Sequence, residues 1–273
     1  MHNYFSILWS IHTILESLPI SSSGHMRLIT CYLQKCKKIK LPEEPEYLTH
    51  FMHLTTALII SVFLLVRLIP ELINIHTLDD TISMGLVLTL GAGSIFIANS
   101  ITAIFYFLFR RINIRSFPLW LGFLVTSLLL LSLNFVPSQV RDASFLLTYG
   151  FAFIIGIAQG LSLLPGISRM ATTFVVARWC GIEASAAFLY SLALQLPLIF
   201  AALAKSFYLI FIKKMAMPVI SKSGLLLLSC ATVISYGILQ LVYCTAQHDY
   251  FAYFGWYMLI PVFISYYLRG SEK

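Results

Sequence analysis

Seven stretches of this 273-residue chain carry no Asp, Glu, Lys or Arg: 49–66, 81–109, 116–140, 143–168, 184–204, 223–248 and 250–268. Most approach or exceed the ~20 residues with which a helix crosses the hydrocarbon core. Only 11% of residues are charged and mean hydropathy is +0.87, whereas about a quarter of a soluble domain is charged. Lipid offers no partner to a free backbone group, so the predicted fold is an all-α integral membrane protein. Its first basic residue is Arg27, so the leading segment lacks the basic start of a secretory signal. Five cysteines without CxxC spacing read as apolar filler, not as a disulfide framework or zinc site. The net charge of +7 sits in short loops between apolar stretches, which points to membrane orientation and to no nucleic-acid partner.

If every stretch crossed the membrane, the basic loops 110–115 and 205–222 would lie on opposite sides, against the positive-inside tendency. The conflict disappears if 143 to about 180 enters and returns on one side, broken at Pro165-Gly166. The N-terminal stretch, broken at Pro19, becomes a second hairpin from the opposite side. Arg27, Lys35, Lys37, Lys38, Lys40, Arg110, Arg111, Arg115, Lys205, Lys213, Lys214, Lys222, Arg269 and Lys273 are then inside, against Arg67, Arg141 and Arg178 outside. The expected architecture is six transmembrane helices plus two re-entrant helical hairpins in an inverted-topology repeat. One membrane domain, 1–273, divides into halves of about 1–140 and 141–273, with both termini cytoplasmic. Gly91 and Gly93 are expected to let helices approach closely.

Polar chemistry concentrates at the two breaks. After Pro19, Ser21, Ser22 and Ser23 suit the start of a helix running through His25, where free N–H groups attract anions. Helix capping alone is the plainer reading of these serines. Leu164-Pro-Gly-Ile-Ser-Arg169 places a guanidinium at the second break, suited to phosphate oxygens or to a structural pair with Glu16. His12 and Glu16 are four residues apart and share a helix face, allowing joint contact with a metal ion or water. His25 has the chemistry of a proton shuttle. His50, His53 and His248 read as hydrogen-bonded core residues, and Gln159, Ser162, Ser191 and Gln195 as interhelical hydrogen-bonding groups.

These two motifs resemble the undecaprenyl-diphosphate phosphatase (bacitracin resistance) family. His12-Thr-Ile-Leu-Glu16-Ser-Leu-Pro-Ile-Ser-Ser-Ser-Gly-His25 is similar to the family's E-x-x-x-E-F-L-P-x-S-S-T-G-H. Pro165-Gly-Ile-Ser-Arg169-Met-Ala171 resembles its P-G-x-S-R-S-G, and 187–197 and 251–257 extend the likeness over nearly the whole chain. The pattern is broken at His12, Met170, Ala171 and Met258. His12 stands where the family has its first glutamate, which predicts altered use of an oxygen-preferring cation.

The resemblance implies hydrolysis of a polyprenyl diphosphate in the bilayer, undecaprenyl diphosphate, to undecaprenyl phosphate and inorganic phosphate. It further implies a bacterial inner-membrane location and a site facing the extracytoplasmic side. Glu16, Ser22, His25 and Arg169 are the implied catalytic set, with Ser21, Ser23, Gly24, Gly166 and Ser168 against the substrate. A divalent cation, Mg²⁺ or Ca²⁺, would sit near Glu16 and His12. His25, Ser22 or a water remain open as nucleophile, and a homodimer stays open. A polyprenyl-phosphate transporter or a non-catalytic lipid-phosphate binder would use the same anion-holding groups.

Overall fold

A computed structural model describes residues 2–36, 45–73, 78–112, 117–136, 148–217 and 220–269. Lys37, Lys38, Lys40, Arg115, Arg141 and Lys273, which entered the charge argument, lie outside the described residues. Among the described residues all regular structure is helical. Helices α1 (His2–Glu16) and α2 (Ser22–Cys36) flank the first break, and α3 (Glu46–Ile73), α4 (Leu78–Arg111) and α5 (Leu119–Leu131) follow. Helices α6 (Tyr149–Leu161) and α7 (Arg169–Trp179) flank the second, followed by α8 (Ala184–Phe207), α9 (Lys222–Gln247) and α10 (Tyr253–Arg269).

Five segments have the length and apolarity of a span: Tyr47–Arg67, Thr89–Arg111, Ala184–Ile212, Lys222–Gln247 and Tyr250–Leu268. The sixth expected span, 116–140, is shorter here, as the apolar helix Leu119–Phe135. Its last turn tightens to a 3₁₀ helix at Ser132–Phe135. Ser132 Oγ donates to Leu129 O and Asn134 Nδ2 to Leu131 O, side-chain bonds that satisfy the carbonyls of a helix end. Outward faces remain apolar, as at Leu226, Val233, Phe263 and Tyr267, as lipid contact requires.

The helices pack in a recurrent pattern: α4 lies along α6 and α1 along α9, while α3 pairs with α8 and α5 with α10. Helix α7 touches α5, and α2 touches α10. Because lipid tails are as apolar as the side chains, close packing and polar contacts hold such helices together. Close approach of α4 is not at Gly93, as expected: a Cβ there would meet nothing within 4 Å. It lies further along the helix, where a Cβ on Gly156 would stand 2.9 Å from Ala98 O and one on Gly160 would strike Phe105. Thr102 Oγ1 donates to Gln159 Oε1 at 3.0 Å, and Gln159 Nε2 donates to Leu194 O at 3.2 Å, joining α4, α6 and α8 as the interhelical reading expected. Pro197, within α8, has no N–H to donate to the helix ladder, so the Ala193 carbonyl one turn before it loses its usual partner.

An aromatic core of Phe63, Phe174, Phe188, Tyr243 and Phe251 closes around the far side of α7, with Phe174 and Phe251 centroids 4.2 Å apart. Arg67 is covered there: its guanidinium lies 4.2 Å from the Tyr243 ring centre and donates to Gln240 Oε1 at 2.6 Å. Cys31, Cys180, Cys230 and Cys244 form no disulfide with one another.

Candidate functional site

The two breaks meet. Helix α1 ends at Glu16 and α2 starts at Ser22, while α6 ends at Leu161 and α7 starts at Arg169. A Cβ added to Gly24 would lie 3.0 Å from Gly166 Cα and 2.8 Å from Phe123 Cε1. Gly166 has φ of +87°, a left-handed conformation that glycine adopts without steric cost, and it packs against Leu119 O of α5. Gly122 of α5 completes the crossing, because any Cβ there would collide with the Pro165 carbonyl. Gly24 and Gly166, expected against substrate, form the backbone crossing, and neither is among the residues that line the cavity.

Beside that crossing lies a small polar cavity of about 50 Å³. Glu16, Ser21, Ser22, Ser23, Ser168 and Arg169 line it, joined by Leu18, Ile20, Thr56, Ser162, Ile167, Met170, Gln195 and Ile199. Local structure explains how each break aims polar groups there. Ser21 Oγ accepts from Gly24 N at 3.2 Å and Ser168 Oγ from Ala171 N at 3.3 Å, so both serines cap helix starts. The first intrahelical bonds are His25 N to Ser21 O and Thr172 N to Ser168 O. The amides preceding them, at Ser22, Ser23, Arg169 and Met170, bring the positive ends of α2 and α7 to one place. Arg169 feels the field of Glu16 across the cavity, yet no ion pair joins them among the described residues. Its Nε is buried without a hydrogen-bond partner.

Glu16 is tied to α3. His53 Nδ1 lies 2.9 Å from Glu16 Oε1, and His12 Nε2 lies 3.7 Å from the same oxygen. The two imidazoles meet edge to face at 5.0 Å. The ligand atoms of His12, Glu16 and His53 all lie within 4.8 Å of one another, so this group is one that could hold a metal ion. A polar clasp sets the register of α1 on α3: Trp9 Nε1 donates to Thr55 Oγ1 at 3.1 Å, and Thr13 and Thr55 hydroxyls are 2.7 Å apart. His53, read from sequence as a hydrogen-bonded core residue, has the carboxylate at the first break as its partner. Its spacing in sequence gave no signal; only the packing of α3 on α1 brings it there. Thr56, one turn on, was likewise missed.

His25 is not among the residues that line the cavity. Its Nδ1 is 2.7 Å from Ser21 O, an atom that only accepts, so Nδ1 carries the hydrogen. Its Nε2 meets Tyr257 OH at 3.2 Å, and its ring stacks on Tyr257 and packs edge-on against Phe123. His248 bonds its own helix, at Cys244 O, and His50 stacks near His53 at 6.4 Å.

Two larger hollows adjoin the polar cavity. One, of about 630 Å³, is lined by Thr245, Tyr250, Tyr253, Phe254 and Tyr257 and shares Leu18 and Ile20 with it. The other, about 350 Å³, runs between α3, α4 and α8 and shares Arg169 and Ile199.

Fold and site together define an all-helical integral membrane protein whose polar cavity is built where two helix pairs are broken. Within that class, the sequence profile described as "Bacitracin resistance protein BacA" matches residues 6–264, and the chain belongs to this family. It is 28% identical to an undecaprenyl-diphosphatase of Treponema denticola over 94% of this chain and 93% of the relative. An undecaprenyl-diphosphatase of Thermosipho africanus is 33% identical over 72% of this chain and 75% of its own, and one of Christiangramia forsetii 30% identical over 73% of each.

Proposed function

We propose that this protein is a membrane phosphatase that hydrolyses undecaprenyl diphosphate to undecaprenyl phosphate and inorganic phosphate, recycling the lipid carrier of cell-wall synthesis. One observation carries the reading: Glu16, Ser21 to Ser23, Ser168 and Arg169 reach a single cavity from two breaks far apart in sequence, in a member of a family whose relatives bear that activity's name.

Catalysis of phosphoryl transfer is mostly positioning and charge stabilisation, and the cavity offers both. Arg169 presents its fork to the terminal phosphate, and the starts of α2 and α7 donate amides and the hydroxyls of Ser22 and Ser23 to the remaining oxygens. Glu16 Oε2 has no hydrogen-bond partner while Oε1 faces His53, so Oε2 is the acceptor that draws a proton from an attacking water. Water oxygen bonds to the terminal phosphorus as its bond to the bridging oxygen breaks, and undecaprenyl phosphate departs with that oxygen. His25 acts as a positioning residue, holding Ser21 O and so the start of α2, with Tyr257 behind it. His12, Glu16 and His53, with buried unpartnered atoms among them, fit a divalent cation. Such an ion, when bound, supplies charge neutralisation at the diphosphate. The prenyl tail leaves through the aromatic hollow at Tyr250, Tyr253 and Phe254, which touches the cavity at Leu18 and Ile20.

The same reading gives the architecture as six spans and two re-entrant hairpins in two inverted halves, about 1–140 and 141–273. Exchanging α1 to α5 for α6 to α10 turns the α4–α6 contact into α9–α1, α5–α7 into α10–α2, and α3–α9 into α8–α4, all of which occur. Exchanged contacts of this kind support a pseudo-two-fold relation. Both termini are then cytoplasmic, in a bacterial inner membrane, and the aromatic hollow lies in the outer half. A homodimer finds no support among the described residues.

Purified protein supplied with undecaprenyl diphosphate and a divalent cation is expected to release phosphate, and Arg169→Ala to lose most of that release. Equal release by Arg169→Ala defeats this assignment.

A further inference from the structure

The cation expected from the resemblance is Mg²⁺ or Ca²⁺, ions that take oxygen ligands, six or more in number. The residues assembled here are of another kind: two imidazoles and one carboxylate. We propose that His12, Glu16 and His53 form a three-ligand site for a transition-metal ion of the zinc class, with the fourth position open toward the phosphate cavity.

Ligand chemistry, spacing and burial carry this. Imidazole nitrogen suits zinc, iron, copper and nickel, and a His₂-carboxylate set with one open position is the form of catalytic zinc sites. Around an ion about 2.1 Å from each ligand atom, tetrahedral neighbours stand about 3.4 Å apart. The observed separations are 2.9 Å from His53 Nδ1 to Glu16 Oε1 and 3.7 Å from His12 Nε2 to the same oxygen. His12 and Glu16 sit one helical turn apart on α1, and His53 approaches from α3, so the ligands come from two elements locked by the Trp9, Thr13 and Thr55 clasp. A purely structural Glu16–His53 pair would leave neither carboxylate oxygen buried and unpartnered. Instead both imidazoles crowd one oxygen, Glu16 Oε1, while Glu16 Oε2 is buried without a hydrogen bond, a condition that an ion and its bound water relieve. The open position matters for catalysis only because the cavity is read as the phosphate site; binding of the ion does not depend on that reading.

The test uses the full-length chain, purified in detergent and stripped of metal, with no substrate present. Co²⁺ is titrated as a spectroscopic probe for Zn²⁺, and Zn²⁺ then competes against Mg²⁺ and Ca²⁺. One Co²⁺ per chain should bind with the intense visible bands of a tetrahedral nitrogen-oxygen site, Zn²⁺ should displace it, and millimolar Mg²⁺ or Ca²⁺ should not. His53→Gln should weaken Zn²⁺ binding at least about ten-fold. His12→Glu should keep a site but shift its preference toward Mg²⁺. Metal-free thermal unfolding checks that each variant is folded. Absent bands in the wild type, unchanged affinity in a folded His53→Gln, or displacement by Mg²⁺ as effective as by Zn²⁺ overturns the proposal. Each of these results leaves the phosphate-release test of Arg169 standing, so the two readings fail separately.

Discussion

Gly24→Ala isolates the crossing of the two breaks. In the first turn of an exposed helix this substitution would stabilise, because alanine exceeds glycine in helix propensity by about 1 kcal/mol. At the crossing the sign reverses. The new methyl would stand 2.8 Å from both Phe123 Cε1 and Ser21 Oγ and 3.0 Å from Gly166 Cα. Carbon atoms rest at about 3.5–4.0 Å, so the breaks must part by roughly 0.7 Å. Overpacking of this size costs about 1–3 kcal/mol, which outweighs the propensity gain. Parting also moves the start of α2 relative to Arg169, and a misplacement of about 1 Å costs on the order of 10²-fold in rate. Thermal unfolding in detergent and initial rates of phosphate release are the assays. Phe123→Leu added to Gly24→Ala should recover part of the stability but little of the rate, since Gly166 has no side chain to trim. A Gly24→Ala protein that unfolds at a higher temperature and keeps full activity would refute the crossing.

Other substitutions separate roles around the cavity. Arg169→Lys keeps the charge and loses the fork; with charge-assisted bonds worth about 1.5–3 kcal/mol each, steady-state kcat/KM should fall about 10- to 100-fold, and further in Arg169→Ala. Glu16→Gln preserves shape but removes the proton acceptor, so kcat should drop about 10²- to 10⁴-fold with the fold intact by circular dichroism. Tyr257→Phe removes one hydrogen bond to His25. It should lower rate only a few-fold, at about 1 kcal/mol, whereas a nucleophilic His25 would leave a trappable phosphoenzyme that this account does not predict. Ser168→Ala removes the cap of α7 and should cost about 1 kcal/mol in stability, read from the unfolding midpoint.

Much of this arrangement was legible because polarity inside apolar stretches is costly. Pro19 and Pro165 mark the breaks, and Ser21, Ser168 and Arg169 fall at helix starts as their chemistry demands. Charge bias, together with those prolines, is what suggested a hairpin at each break. Three features escaped the sequence for a common reason: they depend on which faces of distant helices touch. His53 resembles any buried histidine until α3 packs on α1. His25 shares a helix start with the serines, and its contacts with Tyr257 and Phe123 depend on α10 and α5. Gly93 looks like a packing position, yet a tight contact of α4 falls at Ala98 because Gly156 lies opposite it. The apolar helix after Pro118 runs to Phe135, where Ser132 and Asn134 bind carbonyls behind them, a detail that the apolar stretch alone does not show.

Convergence of the two breaks on one cavity is the claim that everything else needs. Ser22→Cys and Ser168→Cys, placed together in a chain with its native cysteines replaced, test it with a short bifunctional thiol reagent. Rapid cross-linking within one chain, slowed by added prenyl diphosphate, is the predicted result. Two thiols that each react with a monofunctional reagent yet never join would contradict the account.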